Sequence, residues 1–220
     1  EVMLDPADCG PACISLSQDV QGEVFDYPED FFKERVHSIR RPRPDDYQIK
    51  KAVEVIKSSK NPIIISGGGV FYSDAMEELS DFAKKHNIPV TQTVMGYSTM
   101  KRDHSHFLGP IGGLGGKAAN NMAKKTDLAI AIGTKLADFT TGSWANFENP
   151  NFKLVSINAA RFDANKHMAQ AVVGDAKVSL SELSQGLGSW KAEDSWNKKA
   201  QMELKSWNEY VDKESGPTNQ

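Results

Sequence analysis

The residues best suited by type and spacing to do chemistry are glycines. Gly67, Gly68 and Gly69 follow a short apolar run in PIIISGGG, five glycines fall in GPIGGLGG at residues 109–116, and Gly133-Thr134 ends the run LAIAI. Glycine lets backbone approach a ligand closely, and a helix N-terminus after such a turn offers free N–H groups to an anion. Gly67, Gly68, Gly113, Gly133 and Thr134 are therefore the candidate cofactor contacts. Neither turn carries G-x-G-x-x-G. Attraction to a helix terminus contributes only about 0.3–1 kcal/mol at an exposed site, whereas micromolar binding needs about 8 kcal/mol, so a nucleotide would require several convergent contacts. Purely structural turns are the competing reading. The acid that holds an adenosine ribose at a strand end is replaced by Asn158 in KLVSIN, which weighs against a nucleotide.

Other reactive residue types form no visible set. His104 and His106 in RDHSHF could in principle ligate a metal, but no carboxylate or third histidine lies at a motif spacing from them, so they read as loop histidines. His37 and His167 are isolated. Cys9 and Cys13 in CGPAC lack partners for a four-ligand zinc site and read as reduced thiols. There is no G-x-S-x-G, and Ser66 before three glycines reads as a turn residue. No catalytic residue and no metal ligand is assigned.

The elements that must position these turns follow from periodicity. Residues 128–132, LAIAI, and 62–66, PIIIS, are continuous apolar runs of the kind found in parallel strands covered on both faces. Residues 88–93, 153–158 and 171–173 add strands, and residues 12–16 read as a buried strand belonging to a preceding domain. Helices are expected from Asp45-Asp46 to the Ser58-Ser59 break, after Ser73 as N-cap, over residues 117–125, and after Gly174-Asp175. Residues 95–107 read as a polar loop. Strand and helix alternation predicts an α/β, Rossmann-like doubly wound, mainly parallel sheet of about five or six strands, with an N-terminal linker and a C-terminal connecting helix. Ligands of such sheets sit beyond the carboxyl ends of the strands, which puts Gly133, Thr134 and the loop through Asp138, Thr140, Thr141 and Ser143 at the working edge. Residues 21–44 hold several prolines and the aromatics Phe25, Tyr27, Phe31 and Phe32, and read as an extended linker that covers a surface. Beyond Gly188, Trp196, Ala200, Leu204, Trp207 and Val211 recur as one helical stripe, expected to fold back on the sheet's helices or to be shared between chains.

Composition excludes several partners. With 39% hydrophobic and 25% charged residues in 220, the chain can bury one substantial core, and a net charge of -3 gives no basic face for nucleic acid or an anionic membrane. The one basic cluster, Arg40, Arg41 and Arg43 in RRPRP, reads as a solvated linker, with docking on an acidic surface as the other reading. No apolar run approaches the roughly 20 residues that span a bilayer, and no secretory signal opens the chain. Cytoplasmic localisation is the expectation.

The order of these segments is more specific than any one of them. PIIISGGGVFYSDAMEELSDFAKKHNIPVTQT, then HFLGPIGGLGGKAANNMAKKTDLAIAIGTKLADFTTGSW, then SINAARFDANKH and VVGDAKVSLSEL resemble the central domain of thiamine-diphosphate enzymes of the acetolactate-synthase type. Within that superfamily FTTGSW and DVQGEVFDYP are similar to the hydrolases that open a trihydroxycyclohexane-1,2-dione in myo-inositol breakdown. The resemblance implies that residues 1–44 are the tail of a pyrimidine-binding domain plus a linker, residues 45–188 the central domain, and residues 189–220 a connecting helix toward a diphosphate-binding domain. It implies thiamine diphosphate and Mg2+ bound outside this segment, a small cyclic dione as substrate, and a homo-oligomer, dimer or tetramer, of a longer chain from which this one is cut. The Gly174-Asp175-Ala176 turn lacks the second glycine of the family's metal motif and is not expected to bind metal. Relatives that carry flavin on this domain often have Asp-Ile-Asp where this chain has Ser156-Ile157-Asn158, so flavin is not expected. A flavin-carrying carboligase and a stand-alone nucleotide-binding or interaction module are the rival readings.

Overall fold

In the computed structural model, residues 2–216 are described. The chain separates into two units, residues 1–40 and 41–220. The first holds two short 3-10 turns, Val20–Gly22 and Glu29–Phe31, and is otherwise irregular. Residues 12–16, expected as a buried strand, are irregular and exposed. A lone strand leaves its backbone N–H and C=O groups unpaired, and no second strand forms in this unit to pair them. Phe25, Tyr27, Phe31 and Phe32 instead gather among themselves, with ring centroids 4.9–6.1 Å apart.

The second unit is a six-stranded, wholly parallel sheet in the order β3-β2-β1-β4-β5-β6. The strands are β1 (Pro62–Ser66), β2 (Val90–Gln92), β3 (Phe107–Pro110), β4 (Leu128–Ile132), β5 (Lys153–Asn158) and β6 (Gln170–Val173). Around them run α1 (Asp46–Lys57), α2 (Gly68–Tyr72), α3 (Met76–His86), α4 (Lys117–Lys125), α5 (Asp138–Thr141), α6 (Arg161–Ala164), α7 (Ala176–Leu187) and α8 (Asp194–Glu214). Of the four inner strands, β1 and β4 are apolar runs without alternation because both of their faces are covered. Ile64, Ile130 and Val155 face one buried layer with helical residues such as Ile56, Phe82 and Leu183, while Ile63, Ala129, Ala131 and Leu154 face the other with Met122, Trp196 and Ala200.

Side-chain caps explain two of the helix starts. Asp45 accepts from the Tyr47 amide as N-cap of α1, and Asp175 accepts from Lys177 and Val178 as N-cap of α7, each answering backbone donors that the first turn leaves unpaired. Ser73, expected to cap α3, is instead the residue after α2, because the glycines coil directly into that short helix; its hydroxyl accepts from the Ala176 amide. Strand β3 lies inside a stretch expected as loop and glycine turn. Its FLGP sequence has a glycine and a proline, which only a sheet edge tolerates, and β3 is an edge.

Arg41 and Arg43 are not free linker charges. Arg41 donates to the Ser73 carbonyl and to Asp175, the latter at 3.1 Å, and Arg43 pairs with Glu182. The acidic surface on which this basic cluster docks therefore belongs to the same unit. The Asp175 side chain is 5% exposed, and its carboxylate is met by the guanidinium and the helix N-terminus together.

Helix α8 folds back across the sheet. The Trp196 indole, 4% exposed, donates to the Pro62 carbonyl at 2.8 Å; Gln201 donates to the Phe107 carbonyl, and Glu203 accepts from Asn121 and Lys125 of α4. The expected stripe is buried only over its first half, since Val211 is exposed. Trp196→Ala is expected to cost about 3–5 kcal/mol, a large aromatic cavity joined to an orphaned carbonyl. Denaturant unfolding checks this against Val211→Ala, which should cost under about 0.5 kcal/mol.

Candidate functional site at the sheet's switch point

The chain leaves β1 in one direction and reaches β4, its neighbour on the other side, only after building β2 and β3, so the strand order reverses between β1 and β4. This is where doubly wound sheets hold ligands. The turns after these two strands contain Gly67, Gly68, Gly133 and Thr134, and the fold brings them together. A Cβ on Gly67 would lie 2.4 Å from the Gly133 carbonyl oxygen and 2.6 Å from the Thr134 Cβ, and one on Gly133 would lie 2.5 Å from the Gly69 Cα. The Gly69 amide donates to the Gly133 carbonyl at 2.9 Å, Gly67 to Ile132 at 2.9 Å, and Gly133 to Ile157 at 2.8 Å. A phosphate cradle requires unspent amides; of these three, the Gly69 amide ties one turn to the other and the Gly67 and Gly133 amides continue the pairing to β4 and β5. The close approach these glycines permit is made by backbone to backbone.

Gly113 lies at the next glycine turn and is held differently. Its amide donates to the Phe139 carbonyl at 2.7 Å, beside Gly112, where an added Cβ would lie 2.0 Å from the same oxygen. Asn120 donates to and accepts from Gly112, and Asn146 donates to Asn120, so the loop after β3 is stitched to the loop around α5. Asn158, at the end of β5, donates to the Thr134 carbonyl at 3.3 Å and accepts from the Ala160 amide at 3.0 Å. Its amide is committed to loop geometry.

A buried polar net that the sequence reading passed over lies beside the glycines. The Ser66 and Thr99 hydroxyls are 2.7 Å apart, Gln92 donates to Thr99 and to the Met100 carbonyl, and Thr99 donates to the Gly96 carbonyl. Gly96 is needed because a Cβ there would lie 2.1 Å from the Ser66 carbonyl oxygen. The net pins residues 94–100 to the sheet edge while Val94, Met95 and Tyr97 stay exposed. Phe71 and Tyr72 after β1, Leu114 after β3 and Phe139 after β4 are exposed on the same edge. The available signal was apolar side chains recurring in loops that should be polar.

The histidines are structural. His106, 6% exposed, uses both ring nitrogens, with Ser105 at 2.9 Å and Asn87 at 3.1 Å, and its ring lies 5.6 Å from that of His104. Burial, with His104 and Lys84 adding to it, pushes its pKa down to about 4. His86, fully buried in α3, contacts the Trp190 carbonyl at 2.7 Å and the Ser184 hydroxyl at 3.1 Å, and burial lowers its pKa as well. Among the described residues no group of three or more His, Cys, Asp or Glu side chains is arranged to hold a metal ion. Asp175 of the Gly-Asp-Ala turn is occupied by Arg41 and by the α7 amides. No described helix is long and apolar enough to cross a membrane. The edge therefore presents exposed apolar side chains on a rigidly held surface.

The family of the thiamine pyrophosphate enzyme central domain matches residues 49–183. The chain belongs to that family. Curated relatives of this central domain include proteins named 3D-(3,5/4)-trihydroxycyclohexane-1,2-dione hydrolase. The one from Clostridium perfringens strain 13 is 45% identical over 208 residues, which is 94% of this chain and 33% of the relative. Those from Bacillus licheniformis and Bacillus subtilis strain 168 are 46% and 45% identical over 193 residues, 88% of this chain and 30% of each relative. The chain thus spans about a third of the length of the relatives it matches.

Two outcomes test the site's construction. Gly133→Ala places a side chain at φ +59 against the Gly69 backbone and is expected to destabilise the fold by more than about 2 kcal/mol in denaturant titration. Because His106 and His86 have depressed pKa values in the fold, the unfolded chain binds more protons between their folded values and about 6.5. Stability should be full above pH 6.5 and fall as the pH drops to about 4, where the His106 contribution is spent. His106→Gln should flatten that slope in urea midpoints measured across the window.

Proposed function

We propose that this chain is the central, non-catalytic domain of a thiamine-diphosphate-dependent hydrolase that opens the ring of a cyclic 1,2-dione by C–C cleavage in inositol degradation. The observation that carries the reading is 45% identity over 94% of the chain to a protein named as that hydrolase. Residues 45–188 form the central domain, preceded by the tail of a pyrimidine-binding domain and a linker in residues 1–44 and followed by a connecting segment in residues 189–220. The intact enzyme works in the cytoplasm as a homo-oligomer, dimer or tetramer, on a small cyclic dione, with no nucleic acid or membrane partner.

Thiamine diphosphate and Mg2+ belong to other parts of that enzyme. The described residues do not fit the magnesium that holds the diphosphate: magnesium requires hard oxygen ligands grouped around one point, and Asp175, the carboxylate nearest to the family's motif, is committed to Arg41 and the α7 N-terminus. The role of this domain is spacing and shape. The apolar carboxyl edge, with Phe139 in the loop that continues to Trp144, faces the cofactor domains and borders the path of the substrate; Gly67, Gly68, Gly113, Gly133 and Thr134 maintain that edge. The committed Asn158 amide and the spent amides of Gly67, Gly69 and Gly133 support a domain without flavin.

Calorimetric titration of the 220-residue chain with thiamine diphosphate should give no heat of binding that depends on magnesium, and the purified chain should lack the flavin absorbance near about 450 nm. Magnesium-dependent micromolar binding of the diphosphate, or a stoichiometric yellow chromophore, would overturn the assignment. The intact polypeptide carrying this domain should consume the cyclic dione only with both thiamine diphosphate and a divalent cation supplied; turnover without them would also overturn it.

A further inference from the structure

A cavity lined by three cationic side chains lies away from the glycine turns. It measures about 830 Å³ and is lined by Arg43, Asp45, Gln48, Arg161, Lys166 and Val173 together with Phe162 and Asn165. No glycine of the switch point borders it. Three elements converge there: the segment entering α1, the α6 region after β5, and the end of β6. Three cations and one carboxylate line it, and since Arg43 and Lys166 are also paired with Glu182 and Asp163, Arg161 is the cation left without a carboxylate partner among the described residues.

The cavity is also built. Asp45 is oriented as the α1 cap through the Tyr47 amide. Gln48 is fixed by accepting from the Val173 amide at 2.9 Å, and Asn165 by donating to the Arg161 carbonyl at 2.8 Å. Lys166 is held by Asp163 at 2.5 Å and lies 4.7 Å from the centre of the Phe162 ring, and Arg43 is held by Glu182. Both keep further N–H donors once paired, because an ammonium has three and a guanidinium five. Arg161 has no carboxylate partner among the described residues. Cations restrained in this way lose little side-chain freedom on binding, and a guanidinium fork matches the geometry of phosphate oxygens.

We propose that this cavity binds a small phosphorylated molecule, with Arg161 as the principal contact and Arg43 and Lys166 flanking it. Occupancy would tie the segment before α1 to the α6 region, so the ligand stabilises the fold in proportion to its affinity. Inorganic pyrophosphate serves as the probe, titrated into the 220-residue chain by calorimetry and by thermal melting. Saturable binding with a rise in melting temperature is expected, weakened by at least about tenfold in the double variant Arg161→Gln, Lys166→Gln. Should the double variant unfold, Arg161→Gln alone, at an exposed side chain, carries the same reading. The pair Lys124→Gln, Lys125→Gln, whose ammonium groups engage Glu148 and Glu203 elsewhere, removes equal charge and should leave the affinity unchanged. Absence of saturable binding, or equal weakening by both charge removals, would overturn the proposal.

Discussion

The contact between the Gly69 and Gly133 backbones is the constraint on which the sheet's working edge depends. Parallel strands deliver their loops to one edge, and where the strand order reverses two of those loops must either separate and leave a crevice or close on each other. Here they close. The glycines that could have brought backbone near a phosphate bring it near another glycine, and the amides that could have bound an anion complete a three-strand lattice from β1 through β4 to β5. The Ser66, Gln92 and Thr99 net extends the same rigidity to the loop after β2, so the edge is a fixed surface with apolar side chains standing out from it.

What the sequence revealed and what it concealed divide by range. Strands β1, β4 and β5 were legible because burial on both faces leaves an uninterrupted apolar run, and α1 and α7 because their caps, Asp45 and Asp175, are local chemistry. Strand β3 was concealed because an edge strand can carry a glycine and a proline that an inner strand could not. Residues 12–16 have strand composition but no partner in their own unit, and β propensity without pairing forms nothing. At the site, the glycine positions were visible while their use was not: whether Gly67 approaches a ligand or Gly133 depends on a residue far along the chain. The same holds for RRPRP, whose acids, Asp175 and Glu182, lie on the last βα unit of the sheet.

In this member of the thiamine pyrophosphate enzyme central-domain family the described groups are invested in shape. Its buried histidines, His86 and His106, are bolts, the buried carboxylate of the Gly-Asp-Ala turn is a latch, and its glycines are a clasp. This explains how a Rossmann-like sheet can keep the strand order of nucleotide-binding domains while spending the groups that would bind the nucleotide. Fold and ligand are separable because the ligand needs unspent amides and the fold does not.

Helix α8 has a mechanical consequence. Its 21 residues make a rod about 30 Å long. Trp196 and Ala200 clamp the first part against the sheet, and from about Met202 onward most side chains meet solvent. A rod clamped at one end and free at the other is a cantilever: a lateral push at Glu214 bears on Trp207 against Gly116 and on Leu204 near Gly109, the two points where the helix meets the turns flanking α4 and β3. Whatever is attached beyond that end is therefore coupled by leverage to the edge of the sheet that carries β3.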